Sequence, residues 1–107
     1  MTEFAKLNEG AWVITWGNPE LDLQGDVGTS GPRGSTILAS DLINSPMSHE
    51  FEMWEDGERT PDYRGWCYLP DGMTEAAFGP LEDFGEGNTG CAWITYKNKE
   101  TGEYEVL

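Results

Sequence analysis

Apolar and polar residues alternate along much of this chain. In His49–Glu55 (HEFEMWE), Phe51 and Met53 face one way while Glu50 and Glu52 face the other, the period of a half-buried strand. Tyr63–Leu69 (YRGWCYL) is its natural hairpin partner, and Pro61 with the acidic residues before it predicts an irregular connection rather than a tight turn. Ala11–Trp16 (AWVITW) and Cys91–Lys97 (CAWITYK) are rich in β-branched and aromatic residues and too short for stable helices, so both read as strands. The second leads through Asn98-Lys99-Glu100-Thr101-Gly102 into a returning strand, Glu103–Leu107, with a glycine closing the loop.

Helical signals are few. Ser40–Asn44 offers one turn after the strand-like Ser35–Ala39, and Asp71–Phe84 offers a helix that Gly79-Pro80 cuts short. Gly25–Gly34 (GDVGTSGPRG) holds so many glycines that it reads as an exposed, mobile loop. The pattern predicts a mostly β domain (all-β or α+β): a small antiparallel sheet, barrel or sandwich, with one or two short helices. Trp12, Ile14, Trp66, Tyr68, Trp93 and Ile94 are the expected core. Neighbours such as Trp93 and Ile94 point to opposite faces, so one of those two is expected to be partly exposed or covered by a second layer.

Composition then decides between folded and disordered. The 107 residues carry 20 Asp and Glu against 6 Lys and Arg, a net charge of −14, which favours disorder. Against this, 12% of the chain is aromatic, and rings of that size bury much apolar area when packed. We read residues 1–107 as a single folded acidic domain, within the usual domain size of about 100–150 residues. The N-terminal stretch has no long apolar segment and acids interrupt it, so the expected location is cytoplasmic, with no membrane contact. Cys67 and Cys91 belong to no C-x-x-C pair and fit no zinc spacing with His49, the one histidine. They read as buried free thiols, a disulfide remaining open if their strands are neighbours.

Catalytic motifs fail one by one. Gly28 to Gly34 lacks the P-loop spacing and its lysine. Leu21–Asp26 lacks the calcium-loop pattern, and Glu82–Asn88, though rich in oxygen ligands, matches none. Twenty acids guarantee some carboxylate pair at any separation, so paired carboxylates carry no information about glycoside hydrolysis. Nucleophilic catalysis needs a base beside a serine or cysteine, and the one histidine, His49, reads as a surface or capping residue at a strand start. The expectation is a binding protein, with no catalytic residues, no cofactor and no metal.

The acids themselves remain. Glu50, Glu52, Glu55, Asp56, Glu58 and Asp62 fall within thirteen residues, against Arg59 alone, and Glu82, Asp83 and Glu86 form a second knot. A solvated face explains some of this charge, yet −14 on so small a domain costs stability by self-repulsion. Alternate carboxylates on a strand stand roughly 6.6–6.8 Å apart, comparable with phosphates along a nucleic-acid strand. A protein that binds nucleic acid through Lys and Arg would accept such a row in its place. In size and charge, though in no motif, the chain is similar to small acidic inhibitors of phages and mobile elements, such as anti-restriction and anti-CRISPR proteins. The expected partner is therefore the basic surface of a nucleic-acid-binding protein, the nine acids just named being the contact residues, with no direct nucleic-acid binding. Two other readings stand beside it. One is a ligand- or carbohydrate-binding β module using Trp12, Trp16, Trp54, Trp66 and Trp93 as stacking platforms. The other is a small structural or virion component.

Overall fold

A strand divides its side chains between two faces, and in this protein both faces of one sheet acquire a distinct character. The computed structural model describes residues 7–32 and 37–107. Its strands are β1 (Trp12–Gly17), β2 (Ser30–Gly31), β3 (Ser48–Trp54), β4 (Tyr63–Tyr68), β5 (Trp93–Lys97) and β6 (Tyr104–Val106). They form one antiparallel sheet of six strands in the order β2-β1-β4-β3-β5-β6. The sheet stays open, so of the arrangements the pattern allowed it adopts the plain one, with β2 and β6 at its edges.

One face, the inner one, is the main core. Trp12, Ile14, Phe51, Met53, Tyr63, Cys67, Ile94 and Tyr96 project from it and are buried beneath a helical run over residues 75–89. That run supplies Ala77, Leu81 and Phe84. Phe84 stacks at 5.4 Å from Trp12 and 5.0 Å from Tyr63, the edge-on and tilted geometries aromatic rings prefer. The run begins as a 3-10 turn (Glu75–Phe78), widens into a π-helical turn (Leu81–Gly85) and closes as α2 (Glu86–Thr89). The expected break at Gly79-Pro80 does not occur. Pro80 keeps helical dihedrals (φ −58, ψ −38) and stands just ahead of the π-helical turn, at the start of a new turn, where its missing N–H removes no bond. Gly85 lets this run approach the sheet, since a Cβ there would lie 2.7 Å from Met53 Sδ and 3.2 Å from Cys91 Cβ.

On the outer face a short helix, α1 (Ala39–Ile43), covers one corner. Its buried Leu42 packs with Ala11 and Val13 and against Trp66 and Tyr68. The Asp41 carboxylate accepts the Leu38 N–H (3.1 Å) and so caps its first turn. Of the expected core, Trp12, Ile14 and Ile94 are in place. Trp66 and Tyr68 are half-buried on the outer face, and Trp93 is 37% exposed. Alternation forces this outcome, because Cys67 and Ile94 take the inward positions between them. The Gly25–Gly34 segment is also more ordered than a plain loop. It contains a 3-10 turn (Gln24–Asp26) and β2, which pairs with Trp12 and Val13, while residues 33 and 34 lie outside the described part. The strand-like reading of Ser35–Ala39 falls partly outside it too, and Ala39 already belongs to α1.

Candidate functional site

Each face of the sheet presents a different set of charges. On the outer face a row of side chains crosses five strands: Trp16, Arg64, Glu52, Thr95 and Val106 are successive register partners. Arg64 Nε lies 2.6 Å from Glu52 Oε2, and its guanidinium sits over the Trp16 ring at 4.8 Å. Glu52 is almost wholly buried while Arg64 keeps 45% of its side chain exposed. Trp54 lies opposite Trp93 and donates its indole N–H to Thr95 Oγ1 (3.3 Å). Beside this row Glu50 faces Lys97 (3.9 Å), and with Trp66 and Lys99 these two line a cleft of about 230 Å³. Lys99 also donates to the Pro46 carbonyl (2.6 Å). Burial and the Glu50 carboxylate together push the Tyr104 hydroxyl well above its ordinary pKa.

Trp16 reaches this face through a register shift between Ile14 and Trp16. Without that bulge, strict alternation would turn Trp16 inward with Trp12 and Ile14. Four of the five tryptophans therefore lie on the outer face, where the sequence reading placed Trp66 and Trp93 in the core.

The helix-covered side is acidic. Glu82 and Glu86 are exposed one helical turn apart, and Asp83 between them accepts the Trp12 indole N–H (3.2 Å). At one end of the molecule the β3–β4 connection, carrying Glu55, Asp56 and Glu58, meets the end of the helical run. There Asp62 is fully buried, and one of its oxygens accepts from Cys91 Sγ (3.6 Å) while the other has no hydrogen-bond partner. Hydrogen bonding to Asp62 and the Asp62 charge raise the pKa of Glu55. Nearby, Tyr63 donates to Asp26 Oδ2 (2.6 Å), and Asn88 Nδ2 contacts both that oxygen (3.1 Å) and the Tyr63 hydroxyl (2.5 Å). This ties the 3-10 turn, β4 and α2 together.

The nine expected contact residues thus separate. Asp56, Glu58, Glu82 and Glu86 are exposed, Glu55 and Asp83 partly so, and all six belong to the helix-covered side or its adjoining end. Glu52 and Asp62 are buried and present no carboxylate to a partner. Glu50 is on the outer face against Lys97, so the alternating Glu50/Glu52 row is not displayed as a phosphate-like ladder: both acids are engaged by cations. Asp26 joins the acidic end although nothing near it in the sequence marks it. Both cysteines are free and buried, and burial pushes each thiol up to about 12, so neither is a thiolate at neutral pH. His49 lies at the rim of a cleft of about 430 Å³ with Lys99, and its pKa is lowered by burial and by that lysine. Among the described residues no three His, Cys, Asp or Glu side chains gather as a metal site would require. No helix of the described residues is long and apolar enough to cross a membrane.

Fold and surface together define a small antiparallel β domain with one acidic side and one tryptophan-bearing side. No protein-family model, no curated protein and no solved structure matches the chain.

Proposed function

We propose that this chain is an acidic binding protein that occupies the nucleic-acid-binding groove of a basic partner, without turnover and without binding nucleic acid itself. One observation carries the reading: the segregation of charge. Of the four described cations, Arg64 and Lys97 lie on the outer face against Glu52 and Glu50, and Lys99, in the β5–β6 turn at the edge of that face, donates to the Pro46 carbonyl. Arg59 alone stands elsewhere, in the β3–β4 connection. The helix-covered side therefore offers Glu82 and Glu86, and the adjoining end offers Asp56 and Glu58 beside Arg59, acids in excess of cations, a field that steers a basic groove toward them. Such a surface suits inhibition of a nucleic-acid-binding enzyme, of the kind used against restriction or CRISPR defence, by simple occlusion.

The test is capture from a nuclease-treated cell lysate on the immobilised chain, followed by elution in a salt gradient. Nucleic-acid-binding proteins should elute as salt rises, and added DNA should compete with the chain for them. Changing Asp56, Glu58, Glu82 and Glu86 together to Lys should abolish capture while the far-UV circular dichroism is kept. Undiminished capture by that variant, or capture indifferent to salt, refutes the reading.

A further inference from the structure

The chain contains two Asp-Gly steps, Asp56-Gly57 and Asp71-Gly72, and the fold treats them differently. At such a step a polypeptide closes on itself most readily, because no Cβ on the glycine obstructs its nitrogen as it approaches the carboxyl carbon. Both aspartates are exposed, and neither carboxylate is held by a hydrogen bond or ion pair among the described residues. Both glycines have positive φ, 81° and 82°, with open space where a Cβ would stand. They differ in their place within the turn. In the turn over residues 69–72 the closing bond comes from the glycine itself, the Gly72 N–H donating to the Leu69 carbonyl (3.1 Å). In the turn over residues 55–58 it comes from the residue after the glycine, the Glu58 N–H donating to the Glu55 carbonyl (3.3 Å). Gly57 is thus third of four, and no hydrogen bond among the described residues engages its N–H.

We infer that Asp56-Gly57 is a modification site at which the chain isomerises to isoaspartate, while Asp71-Gly72, the same dipeptide, is protected by its turn. The Asp56 carboxyl enters the step protonated. Gly57 N bonds to Asp56 Cγ, the amide hydrogen and the carboxyl hydroxyl leave as water, and a five-membered succinimide remains. Water then adds to either imide carbonyl. Addition at the former side-chain carbonyl restores aspartate. Addition at the former main-chain carbonyl breaks its bond to Gly57 N, so the chain now runs through the old side chain and the α-carboxylate hangs free. One water is lost and one regained, and no oxidant, reductant or cofactor takes part. The product keeps the charge of Asp56 but lengthens the main chain by one carbon inside the turn. Its free α-carboxylate is the group that isoaspartyl methyltransferases recognise, which makes the modified chain a substrate for methyl transfer. The inference does not rest on the proposed function. Asp56 is nonetheless one of the four acids that function uses, so the modification re-aims a contact residue without discharging it.

Incubation of the full chain at mildly acidic pH, folded and in guanidinium chloride, tests it. At intervals the isoaspartyl carboxylate is labelled by enzymatic methyl transfer from S-adenosylmethionine, and peptide mapping by mass spectrometry locates the label. In the folded protein, label should build up at Asp56 at least about fivefold faster than at Asp71, the rate equivalent of one ordinary hydrogen bond. In guanidinium chloride, where both turns are lost, the two rates should converge. Asp56→Glu keeps the charge and should remove the label from this site, because the six-membered ring it would need closes far more slowly. Gly57→Ala should slow labelling there, its Cβ standing in the path of attack, and circular dichroism verifies the fold of both variants. Equal rates at the two steps in the folded protein overturn the inference, as does an absence of label at Asp56. A preference for Asp56 that persists undiminished in guanidinium chloride overturns it too, and assigns the difference to the neighbouring sequence rather than to the turn.

Discussion

Glu52 and Arg64 divide the cost of one ion pair unequally. Glu52 has surrendered nearly all its water, whereas Arg64 remains half-exposed. Removing the arginine leaves a buried carboxylate without its partner, which costs more than the pair itself contributes. Arg64→Met is therefore expected to lower stability by about 2–3 kcal/mol, and Glu52→Gln by less, in chemical denaturation at neutral pH. Equal losses from the two variants would contradict this asymmetry. The Glu55–Asp62 pair behaves differently, since it acts through pH. Hydrogen bonding to Asp62 and the Asp62 charge raise the Glu55 pKa in the folded protein above its ordinary 4.5. The folded state then binds this proton more tightly than the unfolded chain, so the contribution favours folding at low pH and is lost as pH rises through the range above 4.5. Glu55→Gln should flatten the stability–pH profile there relative to the wild type. An unchanged slope would remove Glu55 from the account.

At the scale of elements, close approach governs the sheet. Gly65 in the middle of β4 sits between Ile14 of β1 and Phe51 of β3 in register. A Cβ at this position would collide with the Val13 carbonyl and lie 2.6 Å from the Phe51 ring. Neither neighbour can yield, one being backbone and the other a fully buried ring in a packed core. Gly65→Ala should cost at least about 3 kcal/mol, read as a drop in thermal midpoint. Gly57→Ala in the β3–β4 connection has open space around it. Its positive φ of 81° still makes the substitution unfavourable, but by about 1 kcal/mol. A Gly65→Ala protein as stable as Gly57→Ala would refute the packing argument.

For the whole molecule, the net charge is an opposing force. A net charge of −14 on 107 residues repels itself most strongly when the chain is compact. Moderate salt screens that repulsion, the Debye length falling to about 8–10 Å near physiological ionic strength. The thermal midpoint should accordingly rise between about 20 and about 200 mM NaCl. The Asp56, Glu58, Glu82 and Glu86 to Lys variant, carrying less net charge, should show a smaller rise. A midpoint that falls with salt in the wild type would mean that favourable ion pairs, not repulsion, dominate its electrostatics.

Much of this architecture was legible from one dimension. Alternation in β3, the β-branched and aromatic content of β1 and β5, and the turn signals around β4 and β6 located these strands to within a residue or two, and alternation set Phe51 and Met53 on one face, which the fold buries although the expected core did not include them. Local chemistry also gave the α1 turn and the two buried thiols. The same alternation already places Trp54 with Glu50 and Glu52, Trp66 with Arg64, and Trp93 with Lys97. The outer face could thus have been found in the sequence, had the hydrophobicity of tryptophan not argued for the core. Other features had no local signal. The bulge that turns Trp16 outward, the passage of the helical run through Pro80, and the meeting of Asp26 with Asn88 all depend on contacts between distant segments. The acid clusters show the limit most plainly. Sequence fixes how many carboxylates fall close together, but strand register decides that Glu52 meets Arg64, and the packing around Cys91 decides that Asp62 is buried. Charge is a property of composition; which charges face a partner is a property of the fold, because burial and pairing are set by residues far apart in the chain.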